Sequence, residues 1–245
     1  MEPLPLYIAL VFAAATLLTM VLFYKAANYS KVTFIVLMCW IFLQMLIALT
    51  GFYTNTNTMP PRFALLVLPP LLVIAVLFTT RFGRTYLDGL DPKALSLVHI
   101  VRIPVEVVLF WLFVHKAIPQ SMTFEGRNFD VLSGLSAVLI YYFGFVRKTI
   151  GWKGILLWNI VCLALLINVV ATGLLSAPSP FQQLSFNQPN IAILYFPFVW
   201  LPGVIVPLVL LSHLASIRQL LMQKNAVAKK DGAKLVTPVS AVSFH

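Results

Sequence analysis

Long apolar runs separated by short polar connections make up almost the whole chain. Seven such runs can be marked: Leu6 to Tyr24, Val32 to Phe52, Phe63 to Thr79, Leu95 to Ile118, Phe129 to Phe145, Ile155 to Leu175 and Ile191 to Ile217. Each is long enough to cross about 30 Å of hydrocarbon as a helix. The connections leave no room for a soluble domain. Residues 1–221 therefore read as an all-α, polytopic membrane protein, a seven-transmembrane-helix bundle, and residues 222–245 as a basic, disordered cytoplasmic tail.

The fourth run breaks the apolar pattern with His99, Arg102 and Glu106. At 100° per residue these fall within an arc of about 60° over about 10 Å of helix. A charge deep in a bilayer costs about 2.5 to 3.5 kcal/mol on insertion scales, so the stripe should face protein or water. Asp91 and Pro92 form a good helix start, as N-cap and first helical residue. Pro104 predicts a kink, since it leaves the carbonyl of Ile100 without its helical donor. One reading of the stripe is a ligand- or proton-binding site in which Glu106 carries a proton or a cation, Arg102 holds an anionic group or tunes Glu106, and His99 passes protons inward. The other is an intrahelical pair, Arg102 with Glu106, that neutralises itself.

Composition agrees with a membrane class, at 60% hydrophobic, 10% charged and a mean hydropathy of +0.94. The net charge of +10 is an orientation signal rather than a nucleic-acid surface. Counted over alternate connections, 13 basic residues lie on one side, from Lys25 and Lys31 to the tail lysines, against only Arg62, Lys116 and Arg127 on the other. That bias places the N-terminus outside and the C-terminus in the cytoplasm. The tail lysines are read as solvated, with contact to anionic lipid as the alternative. The start Met1, Glu2, Pro3 lacks the basic region of a secretory signal, so the first run reads as a retained helix. Cys39 and Cys162 both fall in apolar runs and imply neither a disulfide nor a metal site.

Further pocket candidates are Gln44, Asn159, Asn168 and His213, with Ser133 and Ser136 also available; interhelical hydrogen bonding is the plainer role for each. His99 and His213 lie in the same leaflet and are candidates to clamp a haem iron. His115, beside Lys116, suits an interfacial position. Asp130 is counted with the external segment Gln120 to Asp130, whose charges predict local pairing and a cap on the fifth helix from Asn128. That leaves Glu106 as the acid assigned to a span. The second external segment, Ser176 to Asn190, carries amides and two phenylalanines that suit a lid on the outer leaflet or a neutral polar ligand. Pro69 and Pro70 in the third run, and Pro197, Pro202 and Pro207 in the seventh, predict bent helices. With the fourth helix as linker, this arrangement resembles in architecture the parallel-repeat carriers of the SWEET type, without matching side chains.

The strings HIVRIPVEVVLFWLF, MTFEGRNFD and SPFQQLSFNQPNIAILYFPFVWLPG resemble an uncharacterised bacterial family of seven-helix membrane proteins. The resemblance implies a bacterial inner-membrane setting and supplies no activity, cofactor or site residue. A retinal protein needs a lysine in its last helix, and Ile191 to Ile217 has none. No zinc, nucleophile-elbow or phosphate-loop motif is present. Three function classes remain: binding or conduction of a small solute or protons at the fourth helix, a noncatalytic membrane subunit or scaffold acting through a partner protein, and a haem- or quinone-binding redox protein. An enzyme has no support in the sequence, and the lipid bilayer is the one certain partner.

Overall fold

The structure is a computed structural model that describes residues 4–235, with side chains through Lys224; the Met1-Glu2-Pro3 start and the end of the tail, with His245, lie outside the described residues. Among the described residues every regular element is helical. The helices are α1 (Leu6–Ala26), α2 (Lys31–Leu49), α3 (Ala64–Thr79), α4 (Arg81–Asp88), α5 (Pro92–Val98), α6 (Arg102–Val114), α7 (Val131–Leu139), α8 (Trp152–Leu175) and α9 (Val206–Leu235). A 3-10 turn at His99–Val101 joins α5 to α6, and π turns at Ile140–Val146 and Leu201–Ile205 follow α7 and precede α9.

Five stretches are long and apolar enough to cross a membrane: Leu6–Ala26, Lys31–Leu49, Pro92–Val114, Trp152–Leu175 and Leu201–Lys224. A sixth arises if α3 and α4 are taken together, although the chain bends by 92° between them. The fifth expected run forms a shorter apolar helix, Val131–Val146. The last run also differs from expectation: Pro197 precedes the helix, Pro202 sits in the π turn, and regular α-helix begins only at Val206. These prolines shape the approach to α9, because a ring that removes a backbone donor is best tolerated where the first turn has no partner to lose. At its other end α9 stays helical to Leu235, beyond the boundary at 221 drawn from composition. The third and last proline-bearing helices thus differ, one folding back at Thr80 and the other continuing.

Local chemistry explains several of the boundaries. Ser30 caps α2 by accepting from the Thr33 amide, and Asp91 caps α5 by accepting from the Lys93 amide, with Pro92 in the first turn as predicted. The α6 helix ends at Val114 through Lys116 at φ 58°, with the Ala117 amide donating back to Leu112 and the Lys116 amide to Phe113. That is the double bond of a left-handed C-terminal cap, and it ends the run four residues before the expected Ile118. At the bend, Gly83 packs so closely on α3 that an added Cβ would lie 2.4 Å from the Leu77 Cα. Only glycine permits that return.

Burial is uneven. In the most apolar 18-residue window of the Leu201–Lys224 stretch 61% of the residues are buried, against 17% in that of Lys31–Leu49, where α2 turns Val32, Ile35, Leu46 and Leu49 outward. An apolar exterior of this kind is the surface that lipid requires, and it supports a membrane protein. The core lies where α1, α5, α6 and α9 meet, and the buried polar residues sit beside it.

Candidate functional site

All three residues of the stripe face protein. His99, Arg102 and Glu106 are 0%, 3% and 2% exposed, in keeping with a stripe expected to face protein or water. The freed carbonyl expected at Ile100 lies in the 3-10 turn of residues 99–101, where the helix tightens four residues before Pro104.

Arg102 does not pair with Glu106. Its Nη1 donates to Asp130 Oδ1 at 2.8 Å and to the carbonyl of Cys162 at 3.3 Å, and its Nη2 donates to His213 Nε2 at 3.0 Å. Asp130, at the head of α7, is itself buried. Helix α7 reaches this depth because Gly134, one turn along, lies against α6: an added Cβ would be 2.8 Å from Ile103 Cγ1 and 3.3 Å from Arg102 Cβ. The segment Gln120 to Asp130 therefore sends its aspartate inward, and the predicted local pairing is replaced by a bond across 28 residues. A buried guanidinium facing an adjacent carboxylate satisfies the requirement that buried charges be paired.

Hydrogen-bond direction then fixes the histidine. Arginine only donates, so His213 Nε2 accepts, and Nδ1 must carry the proton that is donated to Asn159 Oδ1 at 2.9 Å. Asn159 in turn donates from Nδ2 to the carbonyl of Ile155 at 2.9 Å. His213 is thereby held as one neutral tautomer. His99 stacks on it with ring centroids 3.8 Å apart and 21° between planes, and Trp158 meets the His99 ring edge-on at 5.3 Å. Rings in direct contact leave no room for a porphyrin between them, so these two histidines do not form the haem clamp that their leaflet suggested.

Glu106 has a different set of neighbours. Its Oε1 accepts from Asn128 Nδ2 at 2.5 Å, and Asn128 also donates to the Met122 carbonyl at 2.9 Å and accepts from the Asp130 amide at 3.0 Å. Asn128 thus spends its side chain on Glu106 and on a turn ahead of α7, rather than capping the helix, whose first residue follows Asp130. The second oxygen of Glu106, Oε2, is buried with no partner, as are Arg102 Nε and Asn190 Oδ1.

A cavity of about 80 Å³ runs up to this group, with Arg102, Glu106, Asp130 and Asn190 in its wall and aliphatic side chains of α6, α8 and α9 around the rest. That is room for a few waters or part of an organic ligand. A second, more polar cavity of about 340 Å³ lies at the other end of the cluster, where Asn159 shares the wall with Lys93, Lys148, Ser96 and Ser216. The chain Arg102, His213, Asn159 links the two.

Of the additional candidates, Asn159 and His213 join the cluster, whereas Gln44 and Asn168 do not. Gln44 Oε1 accepts from Tyr53 at 2.5 Å, and exposed Asn168 donates to the Arg127 carbonyl at 3.0 Å. Ser136 accepts from Trp158 at 2.8 Å, Ser133 is buried one turn after Asp130, and His115, half-buried, contacts the Trp111 carbonyl through Nδ1 at 2.8 Å. In the segment Ser176 to Asn190, Gln188 donates to the carbonyls of Phe113 and Ile118, and Asn190 donates to that of Gly173. These amides satisfy backbone groups left open at helix ends, a structural duty.

Cys39 and Cys162 are free, and no group of three or more metal-ligating side chains forms among the described residues. Sequence reasoning passed over Asp130, Asn128 and Trp158. Asp130 was legible, since it is an acid within the apolar run Phe129 to Phe145 with a glycine at i+4.

A family model described as a domain of unknown function (DUF8737) matches residues 59–221, and the chain belongs to that family. The matched segment contains every residue of the cluster, the whole wall of the smaller cavity and all of the larger one's except Gln223, but not α1 or α2. No curated protein and no solved structure matches the chain.

Proposed function

We propose that this member of a family without an assigned activity is a seven-span protein of the bacterial inner membrane that binds or conducts a small solute or protons through the cluster around Glu106. The observation that carries the reading is the partnerless Oε2 of Glu106, buried at the wall of a cavity. Arg102 is spent on Asp130 and His213, which leaves Glu106 as the acid with a free valence. An ionisable group kept inside a membrane with spare hydrogen-bonding capacity is a working group by default. The seven spans follow if α3 and the short helix Val131–Val146 both cross. The bias of the basic residues supports an N-terminus outside, with α4 and the polar cavity at Lys93 and Lys148 on the cytoplasmic side.

The test is Glu106→Gln, which keeps the shape and the bond to Asn128 and removes the charge. Expected is a normally folded protein that no longer takes up protons in reconstituted vesicles or binds its solute. Unchanged uptake and binding would exclude Glu106 as the site.

A second reading, a noncatalytic subunit acting through a partner protein, draws on a separate observation. The Arg102–Asp130 bond ties α6 to α7 and the Arg102–His213 bond ties α6 to α9, as glue would. On that reading Glu106→Gln is silent and another membrane protein copurifies.

A further inference from the structure

The wall of the Glu106 cavity changes character along its length. At the inner end Arg102, Glu106, Leu109 and Leu166 are buried. At the outer end Val67 of α3, Val169, Val170 and Leu174 of α8, and Leu201 and Val206 beside α9 are half-buried. On the two flanking helices the neighbouring Leu68 and Ile167 are 54% and 57% exposed, and the exposed Asn168 beside them turns its amide to the Arg127 carbonyl. A mouth onto water would carry polar side chains. A mouth built from valine and leucine between outward-facing leucine and isoleucine opens into hydrocarbon, so a ligand entering here arrives dissolved in the bilayer.

The inner end specifies the head of that ligand. Glu106 Oε2 and Asn190 Oδ1 are partnerless in a wall that they share with Arg102 and Asp130 and that is otherwise aliphatic; Arg102 Nε is also partnerless, but its guanidinium is already bonded to Asp130 and His213. Oxygens without donors call for a ligand that donates. The charges decide which donor: Arg102 from α6 is cancelled by Asp130 from α7, His213 from α9 is the neutral tautomer, and Asn128 and Cys162 bring no charge. His99 lies behind His213 and has no hydrogen-bond partner. With Glu106 ionised, the group carries one uncompensated negative charge. A lone carboxylate is costly in such surroundings, and a cation, either a proton or an ammonium, removes the cost.

Building on the Glu106 reading above, we infer that the cavity takes a single-chain primary alkylammonium from the bilayer, its head on Glu106 and its chain along the aliphatic wall that includes Val170, in exchange for the proton that Glu106 holds when the cavity is empty. The balance is simple. The ligand enters carrying one positive charge, the carboxylic acid loses one proton to the surrounding water, and the ammonium donates to the carboxylate that results. The net charge of the occupied and empty protein is the same, which suits a site in a low dielectric.

The experiment uses full-length protein in lipid nanodiscs and three probes of one chain length: n-decylamine, decan-1-ol and decanoate. Calorimetry in weak buffer reads binding, and a pH-sensitive dye reads proton release. Decylamine is expected to bind saturably and to release about one proton per molecule. Glu106→Gln, with its thermal transition confirmed, is expected to weaken decylamine by about tenfold to a hundredfold and to abolish the release. Val170→Trp, which fills the mouth and leaves every charge in place, is expected to weaken it as well. Decanol or decanoate binding as tightly as decylamine, or decylamine binding without proton release, overturns the inference. If the decanol binding depends on Glu106, the site proposed above stands and only the alkylammonium fails. If no probe and no proton uptake depends on Glu106, both fail.

Discussion

Two buried polar contacts in this bundle look alike and differ in what they leave over. In one, Tyr53 donates to Gln44; in the other, Asn128 donates to Glu106; both are 2.5 Å long, and Gln44 and Glu106 are each exposed by 2% or less. Gln44 lines none of the cavities, whereas Glu106 keeps one enclosed, partnerless oxygen at a cavity wall. A lone polar residue in an apolar helix is therefore not informative by itself. What separates glue from a site is the unspent valence together with the space in front of it.

The sharpest way to break the comparison is through the ion pair behind Glu106. Replacing Arg102 with Leu leaves Asp130 buried without its cation, and a cost of about 3–5 kcal/mol is expected, read as loss of folded monomer in detergent. The double substitution of Arg102→Leu with Asp130→Leu is expected to recover much of that stability. No recovery would mean that the Arg102 bonds to His213 and Cys162, rather than the charge pair, hold the bundle. Next in size, Gly134→Ala drives a Cβ into Ile103 and Arg102 and should cost about 1–3 kcal/mol by pushing α7 off α6, read as a lower thermal midpoint. Gln44→Leu is expected to cost only about 0.6 kcal/mol and to leave proton uptake unchanged. A large effect on uptake from Gln44→Leu would erase the distinction between the two contacts.

The smallest effect belongs to the exposed pair at the end of α4. Arg218 donates to both Asp88 oxygens, at 2.7 and 2.8 Å, and these bonds hold the Asp88 carboxyl below its ordinary range. A carboxylate depressed in the folded state adds stability that is complete above its unfolded pKa and is lost as pH falls through the folded value. Arg218→Ala should therefore cost only about 0.3–0.5 kcal/mol at neutral pH and nothing in strong acid. Thermal unfolding of the two proteins at neutral and acid pH checks the convergence.

The contrast between the two contacts also marks what sequence can carry. Apolar periodicity locates α1, α2 and α8 closely, because a spanning helix must be apolar over its whole length. It overextends the C-terminal end of α6 and the start of α9, which are set by a left-handed Lys116 and by Pro197 and Pro202 ahead of the helix, with Pro207 in its first turn. The burial of His99, Arg102 and Glu106 on one face follows from their spacing. The partner of Arg102 does not, because Asp130 is 28 residues away and reaches it only through the close approach at Gly134. Which of Gln44, Asn159, Asn168 and His213 would meet the stripe depends on helix neighbours, and single-chain periodicity is silent on those.

Infrared difference spectroscopy of the protein in lipid, wild type against Glu106→Gln, tests the central claim most directly. The account predicts a carboxylic acid C=O band that vanishes in the variant and that converts to carboxylate when decylamine is added. A wild-type spectrum without that band, or a band that persists in Glu106→Gln, would contradict it.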